Sequence, residues 1–226
     1  MRTVHWFDMP RPRASTKSDA GPARERDAGR VLITWVEQLF GMGSSRVTGM
    51  SQQHIDIWNT TADAFTARWE AMNAEQMSAD TPCEGWCVQD LVDHTVSTQI
   101  NFAGGLVGAE IPEGADWPTA RDAIRAALGN EGVLDGMTEL PGMGTVPKMV
   151  PFGIAASDLL VHTWDLARAI GADETLPAEA VAATYAGLQR FPEEAMRGSG
   201  MFANAIESAA DADAQTQMLN FAGRAV

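Results

Sequence analysis

The sequence predicts an all-α fold, a four-helix bundle with a crossover connection, preceded by a largely disordered N-terminal extension. Three observations carry that prediction. Apolar residues recur at three- and four-residue spacings from Ser51 onward. No stretch alternates polar and apolar residues as a half-buried strand does, and Gly and Pro clusters cut the helical pattern into bundle-sized lengths. With 226 residues, 45% of them hydrophobic, the chain can bury one core but is too short for two large ones.

Residues 1 to about 30 mix Pro, Gly, Ser and charge without periodicity, a composition that predicts disorder. Residues 31–40 suit a short helix, broken by Gly41, Gly43, Ser44 and Ser45. We place the boundary at Met50: residues 1–49 are a dispensable extension or a misassigned translation start, and 50–226 form the bundle. Ile55, Trp58, Ala62, Phe65, Trp69 and Met72 make one apolar stripe, so the first helix covers about 51–77. Asp80-Thr81-Pro82 and Gly85 stop it. The second helix opens at Cys87 with Asp90 in its first turn, where a carboxylate suits the helix dipole. Val88, Leu91, Thr95, Thr98 and Phe102 line its inner side as far as Gly104-Gly105.

A further helix is expected over about 118–138, then a Pro/Gly loop over 141–151, long enough to act as a lid or a crossover. The third bundle helix runs from about Phe152 to Ile170 with Gly171 as its C-terminal cap. The fourth runs from about Ala178 to Met196, opened by Pro177. Short helical content after Asp211 is expected to pack on the bundle.

The formal charge of −14 is uneven. Before Met50 there are eight basic and five acidic residues; beyond it there are eight basic and 25 acidic. Such a surface repels nucleic acid and anionic membranes, which disfavours both as partners. No apolar run is long enough for a membrane span, and the Arg-, Pro- and Asp-rich start lacks a secretory pattern, so a cytoplasmic location is expected. Cys83 and Cys87 read as two reduced, apolar thiols. A fourth metal ligand or a redox thiol is the alternative, but low-pKa thiols need an electropositive neighbourhood and no base is close in sequence.

Four histidines are present. His5 falls in the extension, and His54 sits beside the apolar stripe of the first helix. His94 and His162 are the informative pair. Asp158 and His162 lie four residues apart on the third helix, so both project from one face about one turn apart, as two ligands to one ion must. His94 on a facing helix completes three ligands and leaves positions open for water or substrate, the arrangement of a catalytic divalent site. An Asp four residues before a His on an exposed face is merely a polar pair. Here the pair lies within Ile154-Ala155-Ala156 and Leu159-Leu160-Val161, where an inward carboxylate needs a partner to offset its desolvation. Asp165, one turn beyond His162, either orients that imidazole or pairs with Arg168. Trp86 and Trp164 read more simply as core than as a stacking pair.

Thr81-Pro82-Cys83-Glu84-Gly85-Trp86, Val88, Asp90-Leu91-Val92-Asp93-His94 and Asp158-Leu159-Leu160-Val161-His162-Thr163-Trp164-Asp165-Leu166-Ala167-Arg168-Ala169 resemble the metal-binding DinB-like domains of actinobacteria. More narrowly, they resemble the metal-binding domain of mycothiol-dependent maleylpyruvate isomerase. The resemblance spans about 50–224 and includes a closing Phe221-Ala222-Gly223-Arg224. It implies a four-helix bundle holding a divalent metal, most simply zinc, through one His of the second helix and a carboxylate-x-x-x-His pair of the third. Those positions are His94, Asp158 and His162. It also implies a low-molecular-weight thiol such as mycothiol as nucleophile toward an electrophilic substrate, hence a thiol-dependent transferase or isomerase. The alternative is a non-catalytic, stress-associated metal-binding module. The carboxylate is Asp where the isomerase uses Glu, and Cys87 replaces a usual capping residue, weakening that cap by ~1 kcal/mol. Only 28 residues follow Gly198, whereas the isomerase carries a second domain, so isomerase activity itself is not carried over.

Overall fold

The computed structural model describes residues 44–140, 144–190, 197 and 202–226. The expected disorder of residues 1–30 and the short helix of 31–40 lie outside the described residues. Helix α1 spans Ser44–Ala71, so the compositional break at Met50 falls inside it. It ends sooner than the periodicity suggests. Asn73 caps a separate 3-10 turn, Ala74–Ser78, by accepting the N–H groups of Glu75 and Gln76. Helix α2 spans Val88–Thr98 and continues as a π-helical segment, Gln99–Gly104, and one further turn, α3, Gly105–Val107. At its start the Asp90 carboxylate accepts both the backbone N–H of Cys87 and its thiol, each at 3.0 Å. The carboxylate thus does the capping that Cys87 does poorly.

Helix α4, Trp117–Leu128, is shorter than the expected 118–138. Its N-cap is Asp116, and Gly129-Asn130 and Gly132 break the pattern after Leu128. A short hairpin beyond α4 corrects the strand-free expectation: β1, Met137–Leu140, pairs antiparallel with β2, Gly144–Pro147, with Thr138 opposite Val146. Strands of four residues are too short to display alternation, and a β-branched pair facing across them favours pairing. The 141–151 segment is therefore mostly this hairpin and the start of α5, Met149–Ile170, which carries Pro151 in its first turn, where a missing N–H costs nothing. Gly171 caps α5 at φ +69°, as its position predicts. Helix α6 spans Ala178–Leu188 and is capped at Gln189; residues 191–196 of the expected fourth helix lie outside the described residues, and α7 spans Ala214–Phe221.

The chain is mostly helical, and its arrangement is consistent with a four-helix bundle of α1, α2, α5 and α6, the long α2-to-α5 connection holding α4 and the hairpin. Helix α5 is central. Phe152, Ala155, Leu159 and Leu166 join one apolar core with Trp58, Phe65, Leu91 and Trp117, while Leu160, Val161 and Trp164 join a second with Val181, Met218 and Leu219. A helix covered on opposite faces must be apolar nearly all round, which is why any polar group on it needs a partner. Gln99, buried in the π segment, ties three helices: it accepts the Trp58 indole N–H at 2.9 Å and donates to the Ala155 carbonyl at 2.9 Å. No helix among the described residues is long and apolar enough to cross a membrane.

Candidate metal centre

Helix periodicity places Asp158 and His162 one turn apart on α5, and the packing of α2 against α5 brings His94 to them. Asp158 Oδ1 lies 3.5 Å from His94 Nε2 and 3.5 Å from His162 Nε2. The imidazole centroids are 5.1 Å apart, and one ligand atom from each of the three residues falls within 4.8 Å of the others. Two donors each about 2.0–2.2 Å from a tetrahedral zinc lie roughly 3.3–3.6 Å apart. The observed 3.5 Å spacings fit that figure and are long for hydrogen bonds to nitrogen. Asp158 Oδ2 is buried with no hydrogen-bond partner. A buried carboxylate oxygen without a donor is costly unless a cation faces it. On these observations the donor set fits a divalent ion.

The electrostatics agree with a mutually dependent cluster. Burial alone would raise the Asp158 carboxyl, but the His162 charge and the polar contacts of the His162 and His94 imidazoles hold it below its ordinary range. Burial would likewise depress His162, yet Asp158, with Asp165, holds its pKa well above the ordinary 6.5.

The polar groups behind the three donors come from distant parts of the chain. Asp165 is fully buried and does not pair with Arg168, which binds Glu174 at 2.8 Å and lies over the Trp164 ring. Asp165 Oδ2 instead meets His162 Nδ1 at 2.9 Å and accepts Arg224 Nη2 at 2.8 Å and the Cys83 thiol at 3.3 Å, while Oδ1 accepts Arg224 Nε at 3.0 Å. Burial would raise the Asp165 pKa; the His162 hydrogen bond and the Arg224 charge outweigh it and lower it to about 2.

The Thr81–Trp86 loop supplies the remaining wall. Thr81 Oγ1 accepts the Cys83 N–H at 3.1 Å and donates to the Trp86 carbonyl at 3.0 Å, cinching the loop. This lays Trp86 beside both imidazoles, 4.8 Å from His94 and stacked 6.1 Å from His162. The two tryptophans therefore separate: Trp164 is fully buried core, and Trp86 borders the site. Cys83, expected to lack a basic neighbour, has Arg224 Nη2 3.5 Å from its sulfur. Cys83, His162 and Asp165 also cluster closely enough to suggest a second metal set. Arg224 already supplies the cation there, so only the Asp158 set has an orphaned oxygen. His54 lies apart from this cluster, against Gly153.

Arg224 is the site residue that spacing alone misses. Its signal is the closing Phe221-Ala222-Gly223-Arg224, whose Gly and Arg stand just past the end of α7.

Residues 58–140 match the family described as the mycothiol maleylpyruvate isomerase N-terminal domain, a span that includes His94 and ends before Asp158. Two Mycobacterium tuberculosis proteins, "Uncharacterized protein MT0763" of strain CDC 1551 / Oshkosh and "Uncharacterized protein Rv0738" of strain ATCC 25618 / H37Rv, are each 30% identical over 171 residues. That alignment covers 73% of this chain and 93% of each relative. No solved structure matches the chain. Its helical fold, the family match and relatives aligned over nearly their whole length lead to one conclusion: the chain belongs to the family of the mycothiol maleylpyruvate isomerase N-terminal domain.

Proposed function

We propose that this protein binds one divalent metal ion, zinc by preference, through His94, Asp158 and His162, and uses it in thiol-dependent transfer or isomerisation. The observation that carries the metal reading is the buried, partnerless Asp158 Oδ2 beside two imidazole nitrogens at 3.5 Å from its sister oxygen. Imidazole and carboxylate donors suit zinc. The thiol, mycothiol or a relative, rests on the family's name, and the electrophilic substrate on the chemistry thiols perform. We place the activity in the cytoplasm, with small molecules as partners; the acidity of the chain from residue 50 onward disfavours nucleic acid and anionic membranes as partners.

When bound, a divalent ion supplies Lewis acidity that favours the thiolate form of a small thiol near neutral pH. The protein's residues do the rest. His94 and Asp158 keep 22% and 26% of their side-chain surface exposed, which leaves an approach for a small thiol and favours catalysis over the alternative, a closed, non-catalytic stress-associated module. Trp86 shields the imidazoles on one side, and Asp165 orients His162 through Nδ1. The test is metal content by plasma mass spectrometry on protein purified without affinity metals, comparing wild type with a His94→Ala, His162→Ala double variant. About one ion per chain, lost in the variant, is expected. No ion in either protein after incubation with zinc overturns the reading.

A further inference from the structure

We infer that Arg224 is a positioning residue for this centre: its two-pronged grip on Asp165 determines which nitrogen of His162 faces the ion. The inference rests on the metal reading above and concerns a residue 62 positions beyond His162 in the chain.

An ionised carboxylate only accepts hydrogen bonds. Asp165 Oδ2 at 2.9 Å from His162 Nδ1 therefore puts the imidazole proton on Nδ1 and leaves Nε2, the nitrogen 3.5 Å from Asp158 Oδ1, free for a cation. Arg224 holds Asp165 in that plane, contacting one oxygen through Nε at 3.0 Å and the other through Nη2 at 2.8 Å. This fork geometry fixes both oxygens at once, which a single-point contact does not. Without it the carboxylate keeps only the Cys83 thiol at 3.3 Å and His162 itself, neither of which fixes both oxygens, and Oδ2 is held less firmly against Nδ1.

The backbone delivers Arg224 to this position. Gly223 sits at φ +82°, its N–H bonded to the Asn220 carbonyl at 2.9 Å, while the Arg224 N–H bonds the Leu219 carbonyl at 2.9 Å, reversing the chain at the end of α7. Ala203 packs so closely on Gly223 that a Cβ there would stand 2.7 Å from the Ala203 methyl. Asn220 anchors the same turn, accepting the Ile206 N–H at 2.9 Å and donating to Ser208 Oγ at 3.0 Å. Arg224 itself is 11% exposed and also donates to the Ala222 carbonyl at 3.2 Å. The closing Phe221-Ala222-Gly223-Arg224 is thus a device that inserts a guanidinium behind the metal centre.

The experiment measures zinc affinity by competition with a chromophoric chelator for wild type, Arg224→Gln and Arg224→Lys, with long-range 1H–15N spectra of zinc-loaded wild type. Loss of a group that orients a metal ligand weakens metal binding by about 10–100-fold. Arg224→Gln is expected to fall in that range at unchanged stoichiometry, with Arg224→Lys between it and wild type. The wild-type spectrum is expected to show the proton on His162 Nδ1 and the metal on Nε2. Unaltered affinity in Arg224→Gln, or a metal on Nδ1 in wild type, overturns the inference. Should Arg224→Gln fail to fold, Arg224→Lys carries the affinity test, unaltered affinity in it overturning the inference, and a metal on Nδ1 in wild type still overturns it. If wild type binds zinc and the His94→Ala, His162→Ala variant does not, an unaltered Arg224→Gln removes only this inference. If wild type binds none, the metal reading falls and takes this one with it.

Discussion

Among single residues, two aspartates of α5, Asp158 half-buried and Asp165 fully buried, have opposite needs. Asp158 presents an oxygen with no donor, whereas Asp165 has both oxygens engaged, by His162, Cys83 and Arg224. Removing the charge from Asp165 leaves Arg224 buried without its counterion, and breaking such a pair costs on the order of 3–5 kcal/mol. Asp165→Asn is therefore expected to destabilise the metal-free protein by that amount, read from equilibrium unfolding curves. The same ion pair sets an acid limit. Because the folded pKa of Asp165, about 2, lies below the ordinary 3.8, its contribution is complete above pH 3.8 and is lost as pH falls through about 2. A pH series of unfolding curves should show a steeper loss for wild type than for Asp165→Asn in that window; equal slopes would contradict the assignment.

For helices and their ends, the informative comparison is between two glycines in the left-handed region. Gly171 at the end of α5 has open space where a Cβ would go, so Gly171→Ala incurs only the conformational cost, roughly 1–2 kcal/mol. Gly223→Ala adds a clash with Ala203 and should cost more in thermal unfolding, and it should weaken zinc binding as Arg224→Gln does, whereas Gly171→Ala leaves zinc binding unchanged. The π segment carries a different liability. Gln99→Met strands the Trp58 N–H in the core, at about 1–3 kcal/mol for an unmet buried group, and removes the second donor to the Ala155 carbonyl, which lies within the α5 ladder. Circular dichroism melts of that variant check the claim that this side chain ties α1, α2 and α5 together.

For the whole molecule, ligand linkage makes the metal visible in stability. An ion that binds only the folded chain adds about 2.7 kcal/mol at a free concentration one hundred times its Kd. Zinc should raise Tm in wild type, a chelator should reverse the rise, and neither should move Tm in the His94→Ala, His162→Ala variant. Protons compete with the ion for His162, whose pKa Asp158 and Asp165 hold well above the ordinary 6.5, so the zinc-induced rise should shrink as pH is lowered through that raised value. The proposal that residues 1–49 are dispensable is tested by whether a chain starting at Met50 keeps the Tm and zinc stoichiometry of the full protein.

Helical periodicity makes α1 and α2 legible, because each buries a stripe that repeats every three to four residues; apolar runs bounded by Gly171 and Pro177 do the same for α5 and α6, and a four-residue spacing puts Asp158 and His162 on one face of α5. Local chemistry likewise determines the Gly171 cap. Extents were less legible where signals are short: the hairpin hides in eight strand residues, and the first helix yields to a separate turn capped by Asn73, whose Gln76 also donates to the Ile170 carbonyl at 2.9 Å. Which carboxylate keeps an unmet buried oxygen, and which already faces a cation, was decided only by the fold. Arg168 is three residues from Asp165 and turns away to Glu174, while Arg224 arrives from the far end of the chain. Sequence spacing reports neighbours along one helix. The field at a buried group is set by everything packed around it, and here three of those neighbours, Cys83, His94 and Arg224, come from other segments.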